Sequence, residues 1–344
     1  MKERATRADV ASKAGVSKTT VTYVLGDRYD IAIPEPTRER VRIAAHQLGY
    51  RPHAAARALA SGRTESITVA FPERIGAHYA HVLQAFERHT NAHGYHMIAS
   101  TIGHLNIENV LPDLWALLSN LTDGVILVDM PGSFKPYIDE ILPNAKPIVS
   151  MGVFTMPSMD SVEVCLEHAA DAALAHLLNS GASRLAFFGP GSAEGTSSSV
   201  NTAYAGDPRP AAYQKAMQQA GLRPEMIEGD PASRLANRES LLAYAARYGC
   251  PDALFCFNDE IAISACRALR ELGLRVPDDV LVVGCDGSEE SEYAFPSLST
   301  IAQPLDQMCD LAWTFMTRRL AEPSLPRQHA AVDAEFLVRG SSRR

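Results

Sequence analysis

Apolar positions in the first fifty residues recur at helical spacing, whereas from Ser66 onward they gather into short runs separated by helical stretches. Thr6 and Asp9 form a T-x-x-D capping pattern that predicts a helix over Arg7–Ala14. Gly15 supplies a tight turn, and Ser17 caps a second helix over Lys18–Leu25 with Val21, Val24 and Leu25 on its inner face. After the polar loop GDRYDIAIPEP, Pro36 suits the first turn of a third helix, where Val41, Ala44, Ala45 and Leu48 recur and which Gly49 ends. Pro52 opens HAAARALASGR, an alanine-rich stretch too short to hold a helix alone in water and suited to ordering on a partner.

The runs SITVAFP, YHMIAST, GVILVDM, PIVSMG, RLAFFGP, ALFCFND and VLVVGCDG read as buried strands. Between them lie helical stretches such as HVLQAFERHTNAHG, HAADAALAHLLNSG and EIAISACRALRELG. This βαβα rhythm predicts parallel sheets covered by helices on both faces. The stretch is long for one such sheet, so two side by side are expected. Ligands of open α/β sheets bind outside the strands' carboxyl ends, and a cleft between two sheets gathers those ends from both sides.

Composition adds little: 46% hydrophobic and 21% charged residues over 344 positions describe an ordinary globular chain. Charge adds more. Residues 1–63 hold twelve Lys and Arg against six Asp and Glu, while the remainder holds 20 against 34. A basic arm on an acidic body points to nucleic acid, and a merely solvated helical face leaves the change of sign unexplained. The expectation is a cytoplasmic, nucleoid-associated protein, with neither a secretory leader nor an apolar run of membrane-spanning length. The six cysteines are scattered, and small reduced core residues are a simpler reading than disulfide or metal use.

Residues 8–25, ADVASKAGVSKTTVTYVL, have the helix–turn–helix arrangement, which sends its second helix into the major groove. Plain helical domains also contain such pairs, but here Lys18, Thr19, Thr20, Thr22 and Tyr23 offer donors on the outer face of a basic segment. Catalytic motifs are wanting: there is no G-x-S-x-G or H-E-x-x-H, and no catalytic residue, cofactor or metal is expected. GPGSAEG follows a strand, yet no apolar helix comes after it as dinucleotide binding requires, and a loop at a cleft mouth fits better. The close pair His78 and His81, in HYAH, reads as a helix surface rather than a metal site.

DVASKAGVSKTTVTYVL, TRERVRIAAHQLGYRP and ARALASGRT resemble successive blocks of the LacI/GalR family of bacterial repressors. GASRLAFFGP, PDALFCFNDEIAISACRALRELGLRVPDDVLVVGCDG and PSLSTIAQP follow the same family order downstream. The resemblance implies an all-α helix–turn–helix headpiece over 1–62, with a hinge helix at about 52–61. It also implies an α/β, two-lobed core like type I periplasmic binding proteins over 63–344. The first lobe is expected at about 65–178 plus 300–323, and the second at about 179–299 plus 324–344.

By the same resemblance, Ser17, Lys18, Thr19, Thr20 and Tyr23 belong to the DNA-reading helix, with Tyr23 where the family usually has arginine. Ala56 and Leu59 fall in the hinge helix, Leu59 as the leucine wedged into the minor groove at the operator centre. Without the resemblance, the alternative for Leu59 is a linker leucine touching the core. Arg209, Asn258 and Asp286 match effector-contacting positions, and their guanidinium, amide and carboxylate suit hydroxyl-rich ligands such as sugars. Each alone is also compatible with a helix cap or a surface group. Cys165-Leu166 and Pro231 depart from the family's polar and aromatic residues there, and His53 from its hinge asparagine. The implied function is a homodimeric repressor on a near-palindromic double-stranded operator, controlled by a small-molecule effector in the cleft. A solute-binding protein or a sugar-processing enzyme using that cleft without DNA control is the alternative.

Overall fold

A computed structural model describes residues 5–26, 29, 31–50, 62–72, 76–102, 117, 122–130, 137–138, 146–154, 156–191 and 206–344. The chain divides into two compact units, Met1–Thr64 and Glu65–Arg344.

In the first unit, helix α1 (Arg7–Ala14) begins at a complete capping box: Thr6 accepts from the Asp9 amide while Asp9 accepts from the Thr6 amide. Gly15 then adopts φ +65°, the left-handed conformation that lets the chain turn within three residues into α2 (Lys18–Leu25). α3 (Glu35–Leu48) has Pro36 in its first turn and ends at left-handed Gly49. Val10, Ala11, Ala14, Val21, Val24, Val41, Ala44 and Ala45 make the shared core. Arg38 is buried and donates to the carbonyls of Ile31 and Ile33, tying the loop before α3 back onto the bundle.

The second unit holds β1 (Ser66–Pro72), α4 (Ala77–Ala92), β2 (His96–Ile102), β3 (Gly124–Val128), β4 (Ile148–Gly152), β5 (Asp160–Cys165) and α5 (Glu167–Asn179). There follow β6 (Leu185–Gly189), α6 (Pro208–Ala220), β7 (Glu225–Glu228), α7 (Arg234–Tyr248), β8 (Ala253–Cys256), α8 (Asp259–Glu271) and β9 (Leu281–Asp286). The chain closes with α9 (Glu289–Tyr293), β10 (Ser299–Ala302), α10 (Leu305–Ala321), β11 (His329–Asp333) and β12 (Glu335–Leu337). Among the described residues there are two six-stranded sheets, ordered β11-β5-β4-β3-β1-β2 and β12-β10-β9-β8-β6-β7. Every pairing is parallel except β10 with β12. Strands such as GVILV and LAFFG are buried along their whole length, as expected where helices cover both faces of a parallel sheet.

The chain passes between the sheets three times, at Leu166, at Gln303–Pro304 and at Ala334. α5 packs on α6, β10 and β12 and so belongs with the second sheet, while β10 joins the second sheet and β11 the first. The lobes are therefore exchanged at these three points rather than near 178, 299 and 323. Two crossings run side by side, since the Ala334 amide donates to the Cys165 carbonyl at 3.1 Å. Local periodicity places strands but not their sheet, which is why the expected lobe limits differ.

Candidate functional site

The headpiece presents α2. Ser17 is its N-cap, its hydroxyl accepting from the Thr20 amide at 3.0 Å and lying 2.9 Å from the Thr20 hydroxyl. Val21 and Val24 point inward, which turns Lys18 and Thr19 outward into solvent and leaves Tyr23 half-buried. Thr22 is exposed but committed: its hydroxyl donates to the Lys18 carbonyl and accepts from Arg7. An exposed ammonium and hydroxyl on the first turn of a short, buried-backed helix are what major-groove readout requires. The hinge positions Pro52, His53, Ala56 and Leu59 lie outside the described residues.

In the core, a cavity of about 490 Å³ lies at the carboxyl ends of the strands, bounded by α4 of the first lobe, the turn after β9 and the Gln303–Pro304 crossing. His78, His81, Asp286, Ser288, Gln303 and Asp306 are among its lining residues. A second, neighbouring space of about 430 Å³ is bounded by Gly76, Ala77 and Ala80 on one side and Arg234, Glu260 and Glu290 on the other.

The three expected effector residues are differently placed. Asp286 lines the cavity at the end of β9, with φ +139°, a conformation that L-residues rarely hold. Gln303 steadies it: its side-chain amide donates to Oδ1 at 3.2 Å, and its backbone amide to the Asp286 carbonyl at 3.1 Å. Burial pushes the Asp286 carboxyl up to about 7. Arg209 is buried beneath this floor, ion-paired with Asp207, donating to the Phe257 carbonyl at 2.7 Å and lying over the Phe257 ring at 3.5 Å. Asn258 caps α8, accepting from the Ile261 amide at 3.0 Å and donating to the Pro231 carbonyl at 2.9 Å. Arg209 thus joins the ends of β8 and β9 to the start of α6, and Asn258 fixes the turn after β8.

His78 departs from the helix-surface expectation. His81 fits it, half-exposed beside Asp306, but His78 faces inward from the same helix, its side chain only 11% exposed. Its Nε2 lies 3.2 Å from Asp129 Oδ2, and its Nδ1 lies 3.8 Å from Asp286 Oδ1. Burial pulls the imidazole pKa down, but the bond to Asp129 and the Asp286 carboxylate outweigh burial and hold it above the ordinary value. Asp129 follows β3 with φ +47° and packs so closely on Gly152 that a Cβ there would stand 2.1 Å from its Oδ1. Gly152, at φ +143°, admits both the close approach and the backbone conformation. Asp129 was open to discovery by the rule that singled out Asp286, a polar residue just after a wholly apolar strand. Its pairing with His78, 51 positions away in the chain, had no such signal.

The six cysteines are free, with Cys256, Cys285 and Cys309 buried. The Gly-rich stretch after β6 lies outside the described residues beyond Gly191. Among the described residues no helix is long and apolar enough to cross a membrane.

A helix–turn–helix unit followed by two parallel-sheet lobes around a polar cleft defines a DNA-binding transcription regulator with a periplasmic-binding-protein-like core. Residues 6–53 match the model for bacterial regulatory proteins of the lacI family, and residues 174–342 that for the periplasmic binding protein-like domain. The chain is 31% identical over 326 residues to the HTH-type transcriptional repressor PurR of Erwinia tasmaniensis, covering 92% of this chain and 90% of that one. The chain belongs to the LacI family. In fold it is similar to the lac repressor dimer bound to operator and the anti-inducer ONPF, with TM-score 0.79, 24% identity and 99% of each chain covered. It is also similar to the transcriptional regulator CelR–cellobiose complex, with TM-score 0.65, 24% identity, and 98% and 100% of the chains covered.

Proposed function

We propose that the protein is a cytoplasmic homodimeric repressor whose grip on a near-palindromic operator is set by a small, sugar-like effector held between the core lobes. The observation that carries the reading is the capped α2, with Lys18 and Thr19 exposed on a basic headpiece, in a chain whose core encloses a separate polar cleft. Two headpieces related by a two-fold axis match two half-sites. Dimerisation is supported by an exposed aromatic knuckle: Tyr293 is 79% exposed and Phe295 fully exposed, a display that monomers rarely leave uncovered. The cleft offers Asp286 and Gln303 to hydroxyl groups, and Arg209 and Asn258 act by holding that floor in shape. The core binds its ligand and returns it unchanged.

Selection from random duplex DNA with the full chain should yield a two-fold symmetric site, and residues 65–344 alone should not retain it. Sugars screened by calorimetry against the core should include one that also alters operator affinity, as reciprocal linkage demands. Sequence-specific binding by residues 65–344 would overturn the reading.

A further inference from the structure

We propose that His78, Asp129 and Asp286 form a proton-operated latch that holds the two core lobes together. The proposal builds on the cleft described above, but it concerns the lobes' own equilibrium and its test uses no effector.

His78 stands on α4 and Asp129 follows β3, both in the first lobe, while Asp286 ends β9 in the second. A neutral imidazole has one N–H. If Nε2 carries it, the bond to Asp129 at 3.2 Å is made, and the Nδ1 lone pair then faces Asp286 Oδ1 at 3.8 Å. Two lone pairs oppose each other across the lobe boundary unless a proton sits on either the imidazole or the carboxyl. That single proton converts repulsion into attraction. Other charges around His78 are arranged to keep it there. Asp259, buried at the start of α8, adds negative charge beside Asp286, and Arg209, a cation that acts on His78, is occupied by Asp207. Tyr79 closes one side, its ring edge-on to the imidazole at 5.0 Å.

Both carboxylates that flank His78 hold unfavourable backbone angles, φ +47° and +139°. Such conformations persist where surrounding structure demands them and cluster at switching elements. Asp286 is also bonded twice to Gln303, which lies on a crossing between the lobes, so a change at the latch reaches the hinge directly.

The sign follows from where the proton is held. The contact of His78 Nδ1 with Asp286 Oδ1 crosses the lobe boundary and is attractive with a proton in it and repulsive without one, so closure is favoured at lower pH and weakens as that proton is lost with rising pH. The experiment places a donor dye at exposed Arg318 and an acceptor at exposed Arg247, one in each lobe, in the full ligand-free chain. The distance between them is expected to increase between about pH 6 and 8, the range in which a histidine switch works. His78→Gln, which keeps a polar amide but cannot titrate, should abolish the pH-dependent change, and Asp129→Asn should reduce it. Direct titration of the His78 ring by NMR should give a midpoint above the ordinary imidazole value. A distance constant across this range, or one that changes equally in wild type and His78→Gln, overturns the latch. A ring that titrates at or below the ordinary value also does so. None of these outcomes bears on whether an effector binds, so the two readings stand or fall separately.

Discussion

Arg209 and Asp207 face each other as a two-pronged pair, Nε 2.8 Å from Oδ1 and Nη2 2.6 Å from Oδ2, with side-chain exposures of 7% and 0%. The rest of the guanidinium serves the Phe257 carbonyl and ring, so this arginine is fully engaged by the fold. Breaking a buried pair from one side strands a charge and costs about 3–5 kcal/mol. Arg209→Met and Asp207→Asn should each lower the unfolding free energy of the core, read from urea titration, by an amount in that range. The double variant should be less damaged than the sum of the two, and additivity would show the pair to be uncoupled.

Lys18 and Tyr23 belong to the exposed helix of the headpiece, and the two should fail differently. Lys18→Ala should weaken specific DNA binding by about 1–3 kcal/mol and relax selectivity at one base pair in each half-site. Tyr23→Arg should instead change which base is preferred, because arginine reaches guanine with two bonds where a phenol offers one hydroxyl. Selection on randomised half-sites distinguishes these outcomes. An unchanged preference with Tyr23→Arg would mean that the ring does not face the groove.

Phe295 is wholly exposed at the end of a short acidic helix. Phe295→Glu should convert a dimer into monomers in sedimentation velocity runs at micromolar concentration, with the far-UV circular dichroism unchanged. A sedimentation coefficient equal to the wild type's would remove this knuckle from the interface.

Acid stability should depend on Asp160. Its carboxylate is buried against Arg319, with Nη2 to Oδ1 at 2.8 Å and Nε to Oδ2 at 3.0 Å, and it accepts from the Gln328 amide at 2.9 Å. Burial alone raises its pKa, but the bonds from Arg319 and Gln328 outweigh burial and leave it below the ordinary value. A depressed folded value means stabilisation that is complete above the unfolded pKa of about 3.9 and lost as the pH falls through the folded one. Asp160→Asn should therefore destabilise the protein at pH 6 and approach wild-type stability in strong acid, as read from urea midpoints across that range. A constant difference at all pH values would show that the proton plays no part.

The sequence carries local structure in full where a terminus has its own chemistry. The Thr6–Asp9 box, the Ser17 cap and Gly49 place the ends of α1, α2 and α3 because each acts within one turn of chain. Relations across the chain are not written in this way. The family resemblance that singles out Arg209, Asn258 and Asp286 as ligand contacts carries no sign of Asp207 or Pro231, the partners that engage two of them. HYAH gave His78 and His81 the same surface expectation, and their spacing puts them on neighbouring parts of α4, yet His78 is buried against Asp129 while His81 stays half-exposed beside Asp306. Which sheet receives a late strand is likewise settled by pairing, as with β10 and β11.

The triple crossing has a consequence for how the protein is made. Synthesis is vectorial, and domains of most multidomain proteins fold in the order in which they leave the ribosome. Here the first lobe's sheet lacks its outer strand until His329–Asp333 emerges, and the second lacks β12 until Glu335–Leu337 does. Ser341 completes the second, its hydroxyl donating to the Val282 carbonyl and accepting from the Ser299 amide. Both lobes must therefore wait, each with an unpaired strand edge open to wrong partners, for nearly the same moment of translation. The arrangement that couples the lobes in the finished protein leaves the nascent chain without a completed first half.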